Sequence, residues 1–235
     1  MPDTEDKGCD VTPDEAAYGA IVTTCGMASG KHNTMCLARR CIEQNIPGDF
    51  VECGVHAGGH PALMSFINAK YGGNRMVHLF DSWEGMPVGS PDDTEFDRKI
   101  LGVNPDRLHG RAANWFIATI EQTRHNMKAW RVDETRLVYH KGWLQDVLPI
   151  VAPTMGPIAL LRIDVDLYDS TVPVIKYLYP KVSSGGYIIS DDYGESEAAI
   201  PARLALLKTL GELGVEPPKV MRINDTPGTV WWRKP

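Results

Sequence analysis

Residues 50–59 join a short apolar segment to a glycine-rich turn and read Phe50-Val51-Glu52-Cys53-Gly54-Val55-His56-Ala57-Gly58-Gly59. The apolar residues predict a buried strand over Phe50–Val55, and the next apolar run predicts a helix over Pro61–Tyr71. A strand, a glycine turn and a helix in this order are typical of an open α/β sheet, in which ligands bind beyond the carboxyl ends of the strands. The turn therefore marks the predicted ligand site.

The acid and the glycines of this turn favour one kind of ligand. Glycines let the backbone approach a ligand closely, and an acid two residues before the first glycine suits a cofactor with a cationic amino group. The glycine spacing differs from the GxGxxG pattern that cradles a pyrophosphate, so a dinucleotide is less expected. We predict that Glu52, Gly54, Val55 and Gly58 contact the cofactor.

Strands and helices continue to alternate after the turn. Six further strands are predicted at Met76–Phe80, Arg136–His140, Ile158–Ile163, Gly186–Ser190, Lys219–Ile223 and Thr229–Arg233. Helices are predicted at Ala112–Lys128, Leu144–Ile150, Val172–Tyr179 and Glu197–Leu213. The pattern predicts one α/β domain over residues 1–235, with a seven-stranded, mostly parallel sheet, helices on both faces and an antiparallel C-terminal hairpin.

Two segments outside this alternation are candidates for lids. Residues 1–45 form an N-terminal extension. Residues 1–14 are polar and expected to fray, Tyr18–Lys31 predicts a short helix and a mobile loop, and Asn33–Asn45 predicts a helix. Residues 83–110 are rich in Pro, Gly and Asp and predict a long loop, which in a compact domain is usually functional.

Acidic residues end three of the predicted strands. Asp81 ends the second strand, near the offset of about 20 residues at which an acid binds ribose hydroxyls in nucleotide-binding folds. Asp164 and Asp166 end the fourth strand, where alternation would turn both side chains the same way, and Asp191 and Asp192 end the fifth. Parallel neighbours would therefore bring four carboxylates to one edge. Such acids repel each other unless a cation neutralises them, and Mg²⁺ prefers oxygen ligands. The sequence therefore predicts an adenosine-type cofactor beside a divalent cation.

Composition narrows the classes of partner. The chain has 24 basic and 30 acidic residues and a formal charge of −6, which argues against nucleic acid or an anionic membrane as the main partner. Its five cysteines form no CxxC pair, so we expect reduced thiols, no zinc site and a cytoplasmic location. The N-terminus lacks an apolar signal core, and no apolar run reaches the roughly 20 residues that span a bilayer.

Several long motifs in one order resemble the macrocin O-methyltransferase (TylF-like) family, whose members methylate sugar hydroxyls of macrolides, aminocoumarins and related natural products. The resemblance runs from about Ile46 to Arg233. It rests on four segments: residues 47–55 (PGDFVECGV), 79–87 (LFDSWEGMP), 161–171 (LRIDVDLYDST) and 185–194 (GGYIISDDYG).

This resemblance implies a class I methyltransferase Rossmann-like fold with S-adenosyl-L-methionine and Mg²⁺ as cofactors. It implies a small-molecule glycoside acceptor in antibiotic biosynthesis and, by family analogy, a homo-oligomer. By motif, Asp164, Asp191 and Asp192 are the metal ligands and Asp166 the general base. The cofactor contacts are Glu52, Gly54, Asp81, Ser82, Gly142 and Trp143. The loop after Pro87 and the segment before Asn33 resemble mobile lids.

Other interpretations stay open. His56, His60 and His140 are alternative bases. The acceptor of a metal-dependent methyltransferase could instead be a catechol. Asp164-Val165-Asp166 also resembles the DxD metal motif of glycosyltransferases, although the acid-glycine turn and the second acidic pair argue against that class. A non-catalytic cofactor-binding scaffold is disfavoured because clustered carboxylates without a reaction would only cost stability.

Overall fold

The computed structural model describes residues 4–5, 9–101, 115–223, 226 and 228–235. Its strands are β1 (Thr4–Glu5), β2 (Asp49–Cys53), β3 (Val77–Asp81), β4 (Leu137–Lys141), β5 (Ile158–Ile163), β6 (Val182–Ser190), β7 (Met221–Arg222) and β8 (Val230–Arg233). Its α-helices are α1 (Pro13–Ile21), α2 (Ala28–Glu43), α3 (Gly59–Lys70), α4 (Glu95–Leu101), α5 (Ile120–Ala129), α6 (Leu144–Val151), α7 (Tyr168–Leu178) and α8 (Ile200–Glu212).

The strands form one sheet in the order β1-β7-β8-β6-β5-β2-β3-β4. Strand β8 runs antiparallel to β6 and β7, and the other pairs are parallel. The predicted seven-stranded, mostly parallel sheet with a C-terminal antiparallel pair is confirmed, and the two-residue strand β1 extends its edge. Chain order reverses between β2 and β5, and the carboxyl ends beside such a switch point are where ligands bind in this class of sheet.

The two central strands are buried on both faces, as their unbroken apolar runs predict. Phe50 and Val51 of β2 are both fully buried but belong to different apolar clusters, because successive side chains of a strand point to opposite faces. Helices α2 and α3 contribute Leu37, Leu63 and Met64 to the first cluster, and α7 and α8 contribute Ile175 and Leu206 to the second. Two packed layers thus hold the strand ends in place.

The N-terminal region is more ordered than the sequence predicts. Helix α2 begins at Ala28, so Ser29-Gly30-Lys31, which we expected in a mobile loop, belong to its first turn. The ammonium of Lys31 donates to the carbonyls of Gly19 and Val22 at 2.6 and 3.0 Å, which ties α2 to the end of α1. Helix α1 begins inside the segment expected to fray, because Thr12 and Glu15 form a capping box.

One prediction about the cysteines is wrong. Cys9 and Cys36 form a disulfide, with Cα atoms 6.0 Å apart, whereas Cys25, Cys41 and Cys53 are free. The pairing depends on tertiary packing: the guanidinium of Arg39 on α2 donates to the carbonyl of Asp10 at 2.8 Å and draws the chain before α1 onto α2. The spacing of the cysteines in the sequence does not indicate that Cys9 and Cys36 pair.

The predicted long loop at residues 83–110 contains helix α4, and its residues 102–110 lie outside the described part of the chain. The predicted helix Ala112–Lys128 begins later, at Ile120, because the Thr119 side chain accepts from the backbone of Gln122 as an N-cap. Residues 112–114 of that prediction are also outside the described chain. Among the described helices, none has the length and apolar character to cross a bilayer.

Candidate active site at the carboxyl ends of the central strands

The glycine turn after β2 packs directly against the acidic turn after β5. Gly54 has a φ of 83°, and the carbonyl oxygen of Asp164 occupies the space that a Cβ at position 54 would need. Gly58 has a φ of 94° and faces Met127 and Thr123 on α5, so it serves the packing of the turn. Both positions have a positive φ and no room for a side chain, so residues other than glycine fit them poorly.

Asp81, at the end of β3, organises the same turn. Its Oδ2 accepts from the backbone N–H groups of Val55 and His56, both at 2.8 Å, and its Oδ1 accepts from Trp83 at 2.7 Å. Burial raises the pKa of Asp81, and these three hydrogen bonds oppose that rise. A carboxylate offers about four acceptor positions, so these bonds leave room for a ligand donor on the side that faces the cavity.

Three of the predicted acids converge. One carboxylate oxygen from each of Asp164, Asp166 and Asp192 lies within 4.8 Å of the others. We expected strand alternation to align Asp164 with Asp166, but β5 ends at Ile163 and a turn brings them together. Asp166 adopts a φ of 57°, which Asp tolerates better than most residues, and its backbone N–H donates to Asp192 at 3.0 Å.

Asp191 lies at the same edge but has a different partner. Its Oδ1 accepts from the guanidinium of Arg162 at 2.7 Å and from the hydroxyl of Thr229 at 3.2 Å. The same guanidinium donates to Glu52 at 2.7 Å and to Asp164 at 2.6 Å. Arg162 and Glu52 are only 2% and 1% exposed, so a buried positive charge, the guanidinium of Arg162, already lies among the acids.

Burial and neighbouring negative charges raise the pKa values of four acids in this site. Burial, followed by the charges of Asp164 and Asp191, raises the pKa of Asp166 to about 7. Burial and then Asp166 raise the pKa of Asp192 well above its usual range, and burial and then Asp164 raise that of Asp191. Burial also raises the pKa of Glu52 to about 8, with Arg162 opposing it. The cluster contains more acids than its one arginine can pair with, so protonation or a bound cation would relieve their repulsion.

Most of these acids line a cavity of about 290 Å³, but Asp192 and Arg162 are not among its lining residues. The predicted cofactor contacts Glu52, Gly54, Val55, Asp81, Ser82, Gly142 and Trp143 all face it, and so do Asp164, Asp166 and Asp191. Gly58 is not among its lining residues. Ser82 is buried and donates to the carbonyl of Gly85 at 2.9 Å, which shapes the turn after β3. The predicted site is therefore one connected space.

The three histidines considered as alternative bases lie in different surroundings. His140 stacks on Phe80, with ring centroids 4.1 Å apart, and it is not among the residues that line the cavity. His60 lines the cavity but is buried, and its Nδ1 lies 2.9 Å from the hydroxyl of Thr34. His56 lines the cavity in the left-handed region, with a φ of 49°. Of the three, His56 is the one placed as an alternative base.

The mouth of the cavity has an apolar rim that sequence reasoning missed. Trp115, Phe116 and Ile117 are 46%, 52% and 51% exposed, and Phe116 also lines the cavity. The Phe116 ring meets the ring of His56 edge-on at 6.1 Å. The Cys25 thiol lies 3.6 Å from the Nδ1 of His56, and the loop between α1 and α2 lines the same cavity. The run of three large apolar residues, Trp115-Phe116-Ile117, is the sequence signal that could have indicated this rim.

Arg162 was also missed as a functional residue. The sequence signal was present, since a charged side chain inside the apolar run Ile158–Ile163 needs a buried partner. Which acids it contacts could not be read from spacing, because Glu52 is 110 residues away along the chain.

Comparison with known proteins assigns a family to this arrangement. The macrocin-O-methyltransferase (TylF) family profile matches residues 10–234. An 8-demethyl-8-(2,3-dimethoxy-α-L-rhamnosyl)-tetracenomycin-C 4′-O-methyltransferase from Streptomyces olivaceus is 36% identical over 200 residues, which is 82% of this chain and 70% of the relative. Demethyldecarbamoylnovobiocin O-methyltransferase from Streptomyces niveus is 38% identical over 160 residues, 66% of this chain and 58% of that protein. Mycinamicin III 3″-O-methyltransferase from Micromonospora griseorubida is 30% identical over 66% of this chain and 60% of its own length.

Solved structures share the fold. The O-methyltransferase NovP superposes with a TM-score of 0.73 at 30% identity, over 88% of this chain and 80% of its own. The calicheamicin methyltransferase CalS11 gives 0.60 at 20% identity, over 99% and 98%. An O-methyltransferase from Bacillus cereus, solved in complex with SAH, gives 0.54 at 10% identity, over 95% and 91%. The last two show the fold alone, which is that of class I methyltransferases.

Proposed function

The chain belongs to the macrocin O-methyltransferase (TylF) family, and on that premise we propose that it uses S-adenosyl-L-methionine and a divalent cation to methylate a sugar hydroxyl of a natural product. The observation that carries the proposal is the convergence of Asp164, Asp166 and Asp192 beside the glycine turn. The names of the relatives from S. olivaceus and M. griseorubida, a rhamnosyl tetracenomycin 4′-O-methyltransferase and a mycinamicin III 3″-O-methyltransferase, support this class of acceptor.

The residues of the cavity fit S-adenosyl-L-methionine. The Oε2 of Glu52 is buried without a partner among the described residues, and Glu52 lines the cavity where a cationic amino group would be received. Gly54 removes the side chain that would fill the turn, while Asp81 is held by backbone donors where ribose hydroxyls would lie. When bound, this cofactor supplies a methyl group on a sulfonium, which is already a good leaving group.

The acids also fit a hard divalent cation such as Mg²⁺. The carboxylate oxygens of Asp164, Asp166 and Asp192 lie within 4.8 Å of one another, and such clustered oxygens are the donor set that this kind of cation prefers. Burial, and then neighbouring acids, raises the pKa of Asp166 and of Asp192, and a bound cation would relieve that repulsion. We propose Asp164, Asp191 and Asp192 as its ligands, although Asp191 is held by Arg162 and Asp166 lies nearer to the other two. When bound, the cation supplies positive charge that makes a hydroxyl of the acceptor more acidic.

We propose Asp166 as the general base. A sugar alcohol is barely ionised at neutral pH, so the reaction needs an acceptor for its proton. Asp166 lies beside the acids proposed for the cation, with a carboxylate oxygen within 4.8 Å of oxygens of Asp164 and Asp192. Its side chain lines the cavity, so it can receive a proton from a hydroxyl bound there. The turn at φ 57° and the hydrogen bond to Asp192 hold it in that place. Orientation of the acceptor against the donor methyl supplies much of the remaining acceleration.

The lids and the acceptor region are part of the proposal. Thr23, Thr24, Cys25 and Gly26, within residues 1–45, line the cavity, and so do Gly85, Met86 and Pro87, within residues 83–110. We propose that both segments close over the reactants. We also propose that residues 1–235 form a single domain and that the protein assembles as a homo-oligomer, as family analogy implies. The apolar rim of Trp115, Phe116 and Ile117 suits the aglycone of a glycoside better than a free sugar.

The test is a methylation assay on purified protein. With S-adenosyl-L-methionine and a glycosylated polyketide or aminocoumarin, methyl transfer should stop in EDTA and return with added Mg²⁺. Full activity in the chelator would contradict the role of the cation. Transfer to catechol but not to glycosides would instead favour the catechol class. Calorimetric binding of UDP- or TDP-sugars without binding of S-adenosylhomocysteine would favour a glycosyltransferase.

A further inference from the structure

Arg162 occupies the point where three strand ends meet. Its guanidinium contacts Glu52 from β2, Asp164 from the turn after β5 and Asp191 from the turn after β6, at 2.6 to 2.7 Å. Glu52 and Arg162 are direct neighbours in the parallel register of β2 and β5. One side chain therefore joins the acid that faces the proposed cofactor to two acids proposed for the cation.

Stability alone does not explain this arrangement. Removing a charge from water costs several kcal/mol, and a buried ion pair often stabilises a protein no more than apolar residues of the same volume would. The arrangement is also incompletely satisfied, since the Nε of Arg162 and the Oε2 of Glu52 are buried without partners among the described residues. A core built for stability would not leave these groups unpaired.

Resting on the function proposed above, we propose that Arg162 is a positioning residue that holds Asp164 and Asp191 in place for the divalent cation while it pairs with Glu52. The planar guanidinium has several donors in a fixed geometry and bonds one oxygen of each aspartate. Fixing the carboxylates before a cation arrives removes an entropic cost of binding. Residues that orient metal ligands in this way typically contribute 10- to 100-fold in metal affinity.

The first experiment measures cation affinity of the purified chain without cofactor or acceptor. In Arg162→Lys the positive charge remains, but one ammonium cannot bond three carboxylates in the same geometry. The dissociation constant for Mn²⁺ and Mg²⁺, from calorimetry, should rise about 10- to 100-fold in a variant whose circular dichroism matches the parent. The matched control is Arg75→Lys, because Arg75 bonds the carbonyls of Gly48 and Cys41 at the opposite end of the sheet. It should lower thermal stability without changing cation affinity.

A second variant covers the case in which Arg162→Lys does not fold. Glu52→Gln leaves Arg162 in place but replaces the carboxyl group that fixes its guanidinium from β2 with an amide, so Arg162 holds Asp164 and Asp191 less firmly. Cation affinity should fall about two- to fivefold, and by more than in Asp81→Asn, which removes another cavity acid that has no contact with Arg162 among the described hydrogen bonds.

The outcomes separate the two proposals. If the parent chain binds the cation and folded Arg162→Lys binds it equally well, the positioning role is wrong and the proposed function stands. If Arg162→Lys is unfolded and Glu52→Gln weakens binding no more than Asp81→Asn, the positioning role is likewise wrong. A parent chain that binds neither Mn²⁺ nor Mg²⁺ overturns both proposals.

Discussion

The backbone of Gly54 lies against the carbonyl oxygen of Asp164, so closely that no side chain fits between them. The backbone N–H of Asp164 donates to the carbonyl of Cys53, the residue before Gly54, at 3.0 Å. The turn proposed for the cofactor and the turn that presents the acids are therefore packed as one unit. A shift of either turn would move the other.

This contact makes Gly54 intolerant of substitution. In Gly54→Ala the new Cβ would collide with backbone, and a φ of 83° costs a non-glycine residue about 1 to 3 kcal/mol in addition. We expect a lower free energy of unfolding in urea and at least a tenfold weaker affinity for S-adenosylhomocysteine. The control is Gly211→Ala in α8, where nothing lies within 4 Å and helix propensity should raise stability by about 1 kcal/mol. Unchanged cofactor affinity in Gly54→Ala would contradict the coupling of the two turns.

Asp166→Asn tests the proposed base. The substitution keeps the size of the side chain and leaves the backbone N–H that Asp192 accepts, but it removes the proton acceptor. We expect kcat to fall about 10²- to 10⁴-fold while the dissociation constant of S-adenosylhomocysteine changes less than about twofold. Asp146→Asn, on the exposed side of α6, should leave both values unchanged. Turnover that survives in Asp166→Asn would transfer the role to His56.

Phe116→Ala tests the apolar rim. Loss of an aromatic surface that covers the acceptor should raise its KM and lower kcat/KM about tenfold, with cofactor affinity unchanged. Leu204 on α8 is 50% exposed, lies outside both proposed lids and is not among the residues lining the cavity, so Leu204→Ala is the control and should behave as the parent. Equal kcat/KM in the two variants for a glycoside with a large aglycone would exclude the rim from acceptor binding.

His140 predicts a pH dependence of stability. Burial, and then the neighbouring His78, lowers the pKa of His140 to about 4 from 6.5. The unfolded chain therefore takes up this proton at higher pH than the folded protein. The contribution to stability is complete above pH 6.5 and is lost as the pH falls toward 4.

In urea unfolding between pH 7 and 4.5, His140→Gln should show a shallower loss of stability than the parent, although the variant loses the stacking on Phe80 at every pH. His125→Gln, on the exposed side of α5, should keep the slope of the parent. A parent and a His140→Gln variant with equal slopes would mean that His140 titrates normally in the folded protein.

The sheet was predictable because its signals are local. Apolar runs such as Ile158–Ile163 coincide with strands, and the glycine turn and acid pairs fall at strand ends as expected. Element ends were less predictable. Helices α1 and α5 begin where the side chains of Thr12 and Thr119 cap them. At the start of α2, Lys31 donates a hydrogen bond to the carbonyl of Gly19 in α1.

By itself, the sequence determined the mostly parallel sheet with its antiparallel C-terminal pair, the placement of acids at one edge of the sheet and the family, because periodicity and motif spacing are properties of neighbouring residues. Only the tertiary structure decided which groups meet there. Arg162 pairs with acids 110, 2 and 29 residues away, Asp166 reaches Asp192 through a left-handed turn, and Cys9 meets Cys36 across packed helices. Electrostatic energy depends on distance in space, and packing sets those distances after the chain has folded.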